Sequence, residues 1–332
     1  MAEQDNLPQV ARRSGVYEVW FLTFTDPVTG RGYWIRSTYL APKRGAPSAG
    51  VWFARFDPAD PGLTFGVHRP SDTWSISPTE FEVRIEGTVM RSGRAEGSIA
   101  GGGHEVSWEL EYPTGDATHH LLPETMYRGR LAPTKPLSPN VDTRFSGSVS
   151  VDGERSEIVE ARGQQGHLWG ERNALRWAWA HCSDFVDEEA VVHAVTARGR
   201  GGTLISPYVT FAGVRWEGRW IRLHRVSRKP DFGLGTWHVD LESRRHRLTG
   251  RIEAPAMALL RARYEVPDES VRFCHNSEIA SCRLALFERR VGGFEEIALL
   301  ESQGTTHAEW AGRTPAPQVE HVVAEILPGD IP

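Results

Sequence analysis

A period of two runs through almost the whole chain. Tyr17, Val19 and Phe21 alternate with Glu18, Trp20 and Leu22, and the rhythm continues through Tyr33-Trp34-Ile35-Arg36-Ser37-Thr38-Tyr39-Leu40 and Val51-Trp52-Phe53-Ala54-Arg55-Phe56. Glu80-Phe81-Glu82-Val83-Arg84-Ile85 and His104-Glu105-Val106-Ser107-Trp108-Glu109-Leu110-Glu111-Tyr112 repeat it, as do Ala190-Val191-Val192-His193-Ala194-Val195-Thr196 and Arg283-Leu284-Ala285-Leu286-Phe287. Successive side chains of a strand point to opposite faces, so this pattern specifies strands with one face buried and one wet. Turn signals separate the runs: Asp26-Pro27, Pro61-Gly62, Ser92-Gly93, Gly101-Gly102-Gly103 and Asp152-Gly153. The expected fold class is all-β, with antiparallel strands in two barrels or sandwiches.

Three stretches break the rhythm. Residues 121–140 carry Pro123, Pro133, Pro136 and Pro139, which excludes a central strand and predicts an irregular crossing segment over a barrel mouth. Residues 254–264 are the one helix-like stretch. The acidic run 184–189 precedes a restart of strand patterning at Ala190, which puts the expected division of the chain at 1–187 and 188–332. Gly199-Arg200-Gly201-Gly202 lacks the strand–turn–helix context of a dinucleotide loop and reads as a hairpin turn.

Composition excludes several functions. With 38 basic against 43 acidic residues the net charge is −5, without the basic face that nucleic acid or an anionic membrane requires. No apolar run approaches the ~18 residues of a membrane span. The polar, acidic start Met1-Ala2-Glu3-Gln4-Asp5-Asn6 is unlike a signal peptide. Cys182, Cys274 and Cys282 are too few for a disulfide framework and lack zinc spacing. A cytoplasmic protein with reduced, buried thiols is expected. Tryptophan is abundant, 12 of 332 residues, which demands either thick cores or a cavity with aromatic walls.

The most informative stretch is Gly163-Gln164-Gln165-Gly166-His167-Leu168-Trp169-Gly170-Glu171-Arg172, followed by Trp177-Ala178-Trp179-Ala180-His181-Cys182. In extended chain His167 and Trp169 share a face, as do Trp177, Trp179 and His181. A hairpin through 170–174 would bring both sets onto adjoining strands. Two readings remain open: a packed aromatic core, or an apolar cavity with a few polar groups, the usual form of a small-molecule site. Arg172 stands at the turn, as an exposed partner of Glu171 or at the cavity rim. His119 and His120 with His167 and His181 offer no His-x-His or Glu-x-x-His spacing, so no metal is expected. Gly32-Tyr33-Trp34 is similar to the Gly-x-Trp of lipocalins, with a structural role for the indole.

Gly-x-x-Gly-His-x-Trp-Gly followed by Trp-x-Trp-x-His resembles the carotenoid 1,2-hydratase (hydroxyneurosporene synthase) and tocopherol cyclase-like superfamily. Leu122-Pro123, Thr134-Lys135, Ser138-Pro139, Cys274-His275-Asn276-Ser277 and the run 304–309 agree with it, over roughly 15–312. The resemblance implies two lipocalin-like domains and an enzyme of the hydratase–cyclase type, a lyase or isomerase. It implies no cofactor, and a small hydrophobic partner, isoprenoid- or polyketide-like, bound between the domains. His167 and Trp169 match the family's active-site His-x-Trp, which makes them the expected catalytic pair. Trp177, Trp179, His181 and Arg172 are the expected ligand-binding residues. The chain departs from the family at Leu168, usually Asn, and at Gln165-Gly166, where the hydratases carry an Asp. The strong acid needed to protonate an alkene is thus missing from its family position, and Asp184 is the nearest substitute. In an indole-walled cavity His167 is a base rather than an acid unless a carboxylate faces its ring. A carrier with the same cavity and no catalysis is the competing expectation.

Overall fold

The computed structural model describes residues 2–10, 13–115, 117–128, 132–201 and 204–326. It is nearly all β, in two large sheets that are sandwich-like rather than closed barrels, consistent with lipocalin-like domains. The first sheet runs from the Val16–Thr25 strand to Glu154–Gly170, and the second from Arg176–Cys182 to Gly293–Gly312. The change of sheet therefore falls at 171–175. Residue 187, the expected division, lies between Arg176–Cys182 and Ala190–Arg198, which are hydrogen-bonded neighbours in the second sheet. The acidic run is a loop within that sheet.

Two strands hold the sheets together because both of their faces are buried. In Val16–Thr25, Trp20, Leu22 and Phe24 enter the first core beside Phe53, Phe145 and Leu110. The alternate residues Tyr17, Val19, Phe21 and Thr23 turn toward the second sheet. In Arg176–Cys182, Ala178, Ala180 and Cys182 enter the second core with Trp237 and Leu284, while Trp177 faces the first sheet. A third apolar cluster forms between the sheets, with Trp34, Trp52 and Phe56 from one side and Trp177, Tyr264 and Cys274 from the other. Phe21 and Trp179 meet edge to face across it at 6.1 Å. All three cysteines are free and buried.

Several local expectations are revised. Residues 254–264 form a 3-10 turn, Ala256–Ala258, and the strand Leu260–Glu265. The Pro136 and Pro139 region belongs to the long strand Thr134–Val151. It tolerates prolines because its pairing with Glu154–Gly170 shifts register between Leu137 and Asn140, and its other edge meets only His119–His120 there. Among the described residues parallel pairing occurs twice, where the tail residues 321–322 join the second sheet and 324–325 join the first. Arg200–Gly201 pairs with Leu204–Ile205; Gly202 of that hairpin lies outside the described residues.

At Gly32 the sheets approach so closely that an added Cβ would lie 2.6 Å from the Glu278 carbonyl oxygen. Backbone cannot yield as a flexible side chain does, so Gly32→Ala is expected to cost about 1–3 kcal/mol, read as a lowered urea midpoint.

Candidate functional site

The inter-sheet cluster does not close completely. It leaves a cavity of about 170 Å³ walled by Phe21, Trp34, Trp177 and Trp179, with Leu122, Pro136 and Leu137 of the crossing segment at its side. Tyr17, Arg36, His193, Tyr264, Asn276, Glu278 and Glu309 supply its polar groups. Trp177 Nε1 donates to Glu309 Oε1 at 2.6 Å, and the Cys274 thiol donates to Glu309 Oε2 at 3.0 Å. Trp179 Nε1 donates to His193 Nε2 at 2.9 Å. Tyr17 and Thr134 share a hydroxyl hydrogen bond of 2.8 Å.

Four buried polar atoms in this lining have no hydrogen-bond partner: Arg36 Nε, His193 Nδ1, Asn276 Nδ2 and Glu278 Oε2. Buried polar groups are normally satisfied within the protein. Four that are not converge on this cavity. Glu278 is 2% exposed. Burial, reinforced by the neighbouring Glu309, pushes its carboxyl well above the usual carboxylate range and so favours the protonated form. This carboxyl stands in the cavity lining, apart from the His-x-Trp stretch. It arrives from Val271–Arg290, where Asn276 is the cross-strand partner of Glu309 and Glu278 follows two residues later.

The expected site residues divide between two places. Trp177 and Trp179 line the cavity, as expected. The expectation that His167 and Trp169 share it is not met, because in Glu154–Gly170 it is the intervening Leu168 that faces the cavity. Nor are the two motif strands a hairpin: they belong to different sheets. A carboxylate does face the His167 ring: Nε2 lies 2.8 Å from Glu18 Oε1, while Nδ1 lies 2.7 Å from the Asp5 carbonyl. Trp20 stacks on the ring at 5.1 Å and donates to the Asn6 carbonyl. Glu18 also accepts from the backbone N–H of Gln9 and Val10. This knot ties the N-terminal segment over the first core, and Trp169 packs beside it.

His181 is fully buried away from the cavity, donating to the Val141 carbonyl at 2.7 Å and facing His307 at 3.3 Å. Arg172 is exposed, and its carbonyl accepts from Thr134. Asp184 is half-buried outside the lining. Among the described residues no group of three or more His, Cys, Asp or Glu is placed to hold a metal, and no helix is long and apolar enough to cross a membrane. Sequence reasoning missed Glu278, Glu309 and Arg36. The available signal was the acid two residues beyond Asn276 in a stretch already singled out.

Two antiparallel-rich, sandwich-like sheets with an aromatic, carboxyl-bearing cavity between them are consistent with a lipocalin-like architecture. The chain belongs to the tocopherol cyclase-like family, whose profile matches residues 141–312, just over half of it. An uncharacterized protein of Mycobacterium tuberculosis, found in strains H37Rv and CDC 1551, is 30% identical over 323 residues, covering 95% of this chain and 92% of that one. Kievitone hydratase from Nectria haematococca shares the fold, with a TM-score of 0.50, 11% identity and coverage of 95% and 92%. A protein described as AttH from Nitrosomonas europaea gives 0.49 at 13% identity, covering 94% and 96%.

Burial pushes His119 down to about 3, His181 to about 4, and His193 and His307 well below the ordinary imidazole value. These groups are neutral when folded but take up protons below about 6.5 when unfolded. Their stabilisation is complete above that pH and is lost as pH falls toward their folded values. Urea unfolding between pH 7.5 and 5 is expected to show falling stability, by about 1–2 kcal/mol for each histidine that stays neutral.

Proposed function

We propose that the protein is a cofactor-independent enzyme of the cyclase, isomerase or hydratase type. It acts on a small hydrophobic molecule, isoprenoid- or polyketide-like, held in the cavity between the sheets. The observation that carries this reading is Glu278, a buried carboxyl raised well above its usual range, with one oxygen unpartnered in an aromatic cavity. Such a group favours its protonated form and can deliver the proton to an electron-rich double bond. The indole faces of Trp34, Trp177 and Trp179 stabilise the positive charge that protonation creates. Glu309, fixed by Trp177 and Cys274, is the second carboxyl and takes up the proton released when the cation collapses. One donor and one acceptor in the same chamber make the sequence redox-neutral and proton-neutral. The family membership and the hydratase-like fold support the same class of chemistry. In this reading His167, engaged at both ring nitrogens, docks the N-terminal segment rather than moving protons.

Native mass spectrometry of the purified protein, searching for a co-purifying apolar molecule, identifies the substrate class. On that substrate Glu278→Gln is expected to lower turnover by about 10²–10⁴-fold with little change in affinity. His167→Gln should leave turnover nearly intact while lowering stability by about 1–3 kcal/mol. Ligand binding without turnover in the unaltered protein would establish the carrier instead. Trp177→Ala should weaken binding under either outcome, and a hydrophobic ligand should quench tryptophan fluorescence.

A further inference from the structure

Arg36 is the unexplained charge of this molecule. It lines the cavity beside Tyr17 and Val19, and the same three residues with Tyr264 also line a second chamber of about 100 Å³. The guanidinium stands at the seam of the two. It lies 4.3 Å from the Tyr264 ring centre, 5.5 Å from Trp52 and 5.6 Å from Trp34. Three rings attract the cation without meeting its hydrogen-bonding needs. Among the described residues it has no ion pair and no hydrogen bond, and its Nε is buried. Two of the carboxylates lining the chambers are otherwise engaged. Glu309 accepts from Trp177 and Cys274, and Glu265 pairs with Arg263 at 2.9 Å. Glu325 is exposed in the tail segment at the outer side of the second chamber.

We propose that the ligand is amphipathic, with its apolar body against Trp177 and Trp179 and a carboxylate head held by Arg36 at the seam of the two chambers. A planar guanidinium with free donors is shaped to take a carboxylate through paired hydrogen bonds. The aromatic cage keeps the fork in place before the ligand arrives, so little ordering is lost on binding. One unpaired cation calls for one negative charge, which favours a monocarboxylate over a diphosphate. This inference rests on the reading of the cavity as an apolar ligand site and adds the head group that selects among apolar molecules.

The test compares geranate with geraniol, two isoprenoids of nearly equal shape that differ in charge, by calorimetry and tryptophan quenching at pH 7.5. The unaltered protein should bind geranate about tenfold or more tightly than geraniol. Arg36→Met should remove that preference and leave geraniol binding within about threefold, whereas Arg36→Lys should retain part of it. Geraniol binding with no preference for geranate, or an equal loss of both in Arg36→Met, would overturn the carboxylate head while leaving the apolar cavity intact. Failure of both ligands to bind the unaltered protein would overturn the cavity reading and this inference with it. Arg36→Lys guards against misfolding in the methionine variant, since it keeps the cation–ring contacts.

Discussion

The molecule depends on packing two sheets against each other through strands that have no wet face. Val16–Thr25 and Arg176–Cys182 each send one set of side chains into their own core and the other toward the opposite sheet. Apolar burial drives that association, at roughly 25 cal/mol per Å² removed from water. Bulky indoles cannot fill the irregular gap between two twisted sheets as smaller side chains fill a core. The space left over becomes the cavity. The site is thus a product of imperfect packing at the interface, held open by large rigid rings.

The same burial sets the electrostatics. Taking titratable groups out of water favours their neutral forms. At the interface this favours the protonated form of Glu278 and the neutral forms of His119, His181, His193 and His307. His181 and His307 spend their ring nitrogens on structure, His307 reaching Thr23 at 2.9 Å and Thr25 at 3.3 Å across the sheets. Glu278 and Arg36 instead keep buried atoms without partners. Leaving such atoms unpaired costs stability. The fold therefore sacrifices some stability at the residues whose chemistry a ligand would use. The aromatic cage offsets part of that cost for Arg36, and the protonated state does so for Glu278.

Much of this was legible from the residues in order. Alternation identified the strands, and the tryptophans singled out at 177 and 179 line the cavity. His167 and Trp169 stood out equally, yet they turn the other way. In a strand buried on both sides, as at 163–170, periodicity no longer tells which face lines the cavity. Leu168, the least conspicuous residue of the motif, is the one that faces the cavity. The expected division at 187 rests on a similarly ambiguous signal. An acidic loop looks the same whether it joins two sheets or two neighbouring strands of one.

The sequence by itself determined the secondary structure, the aromatic supply and the family, because these follow from local periodicity and residue type. Only the tertiary structure decided that Arg36, Glu278 and Glu309, separated by up to 273 positions, line one chamber. Their protonation and pairing depend on what surrounds them in space. A glutamate at position 278 is an ordinary charged residue until two sheets close over it and remove the water that would ionise it.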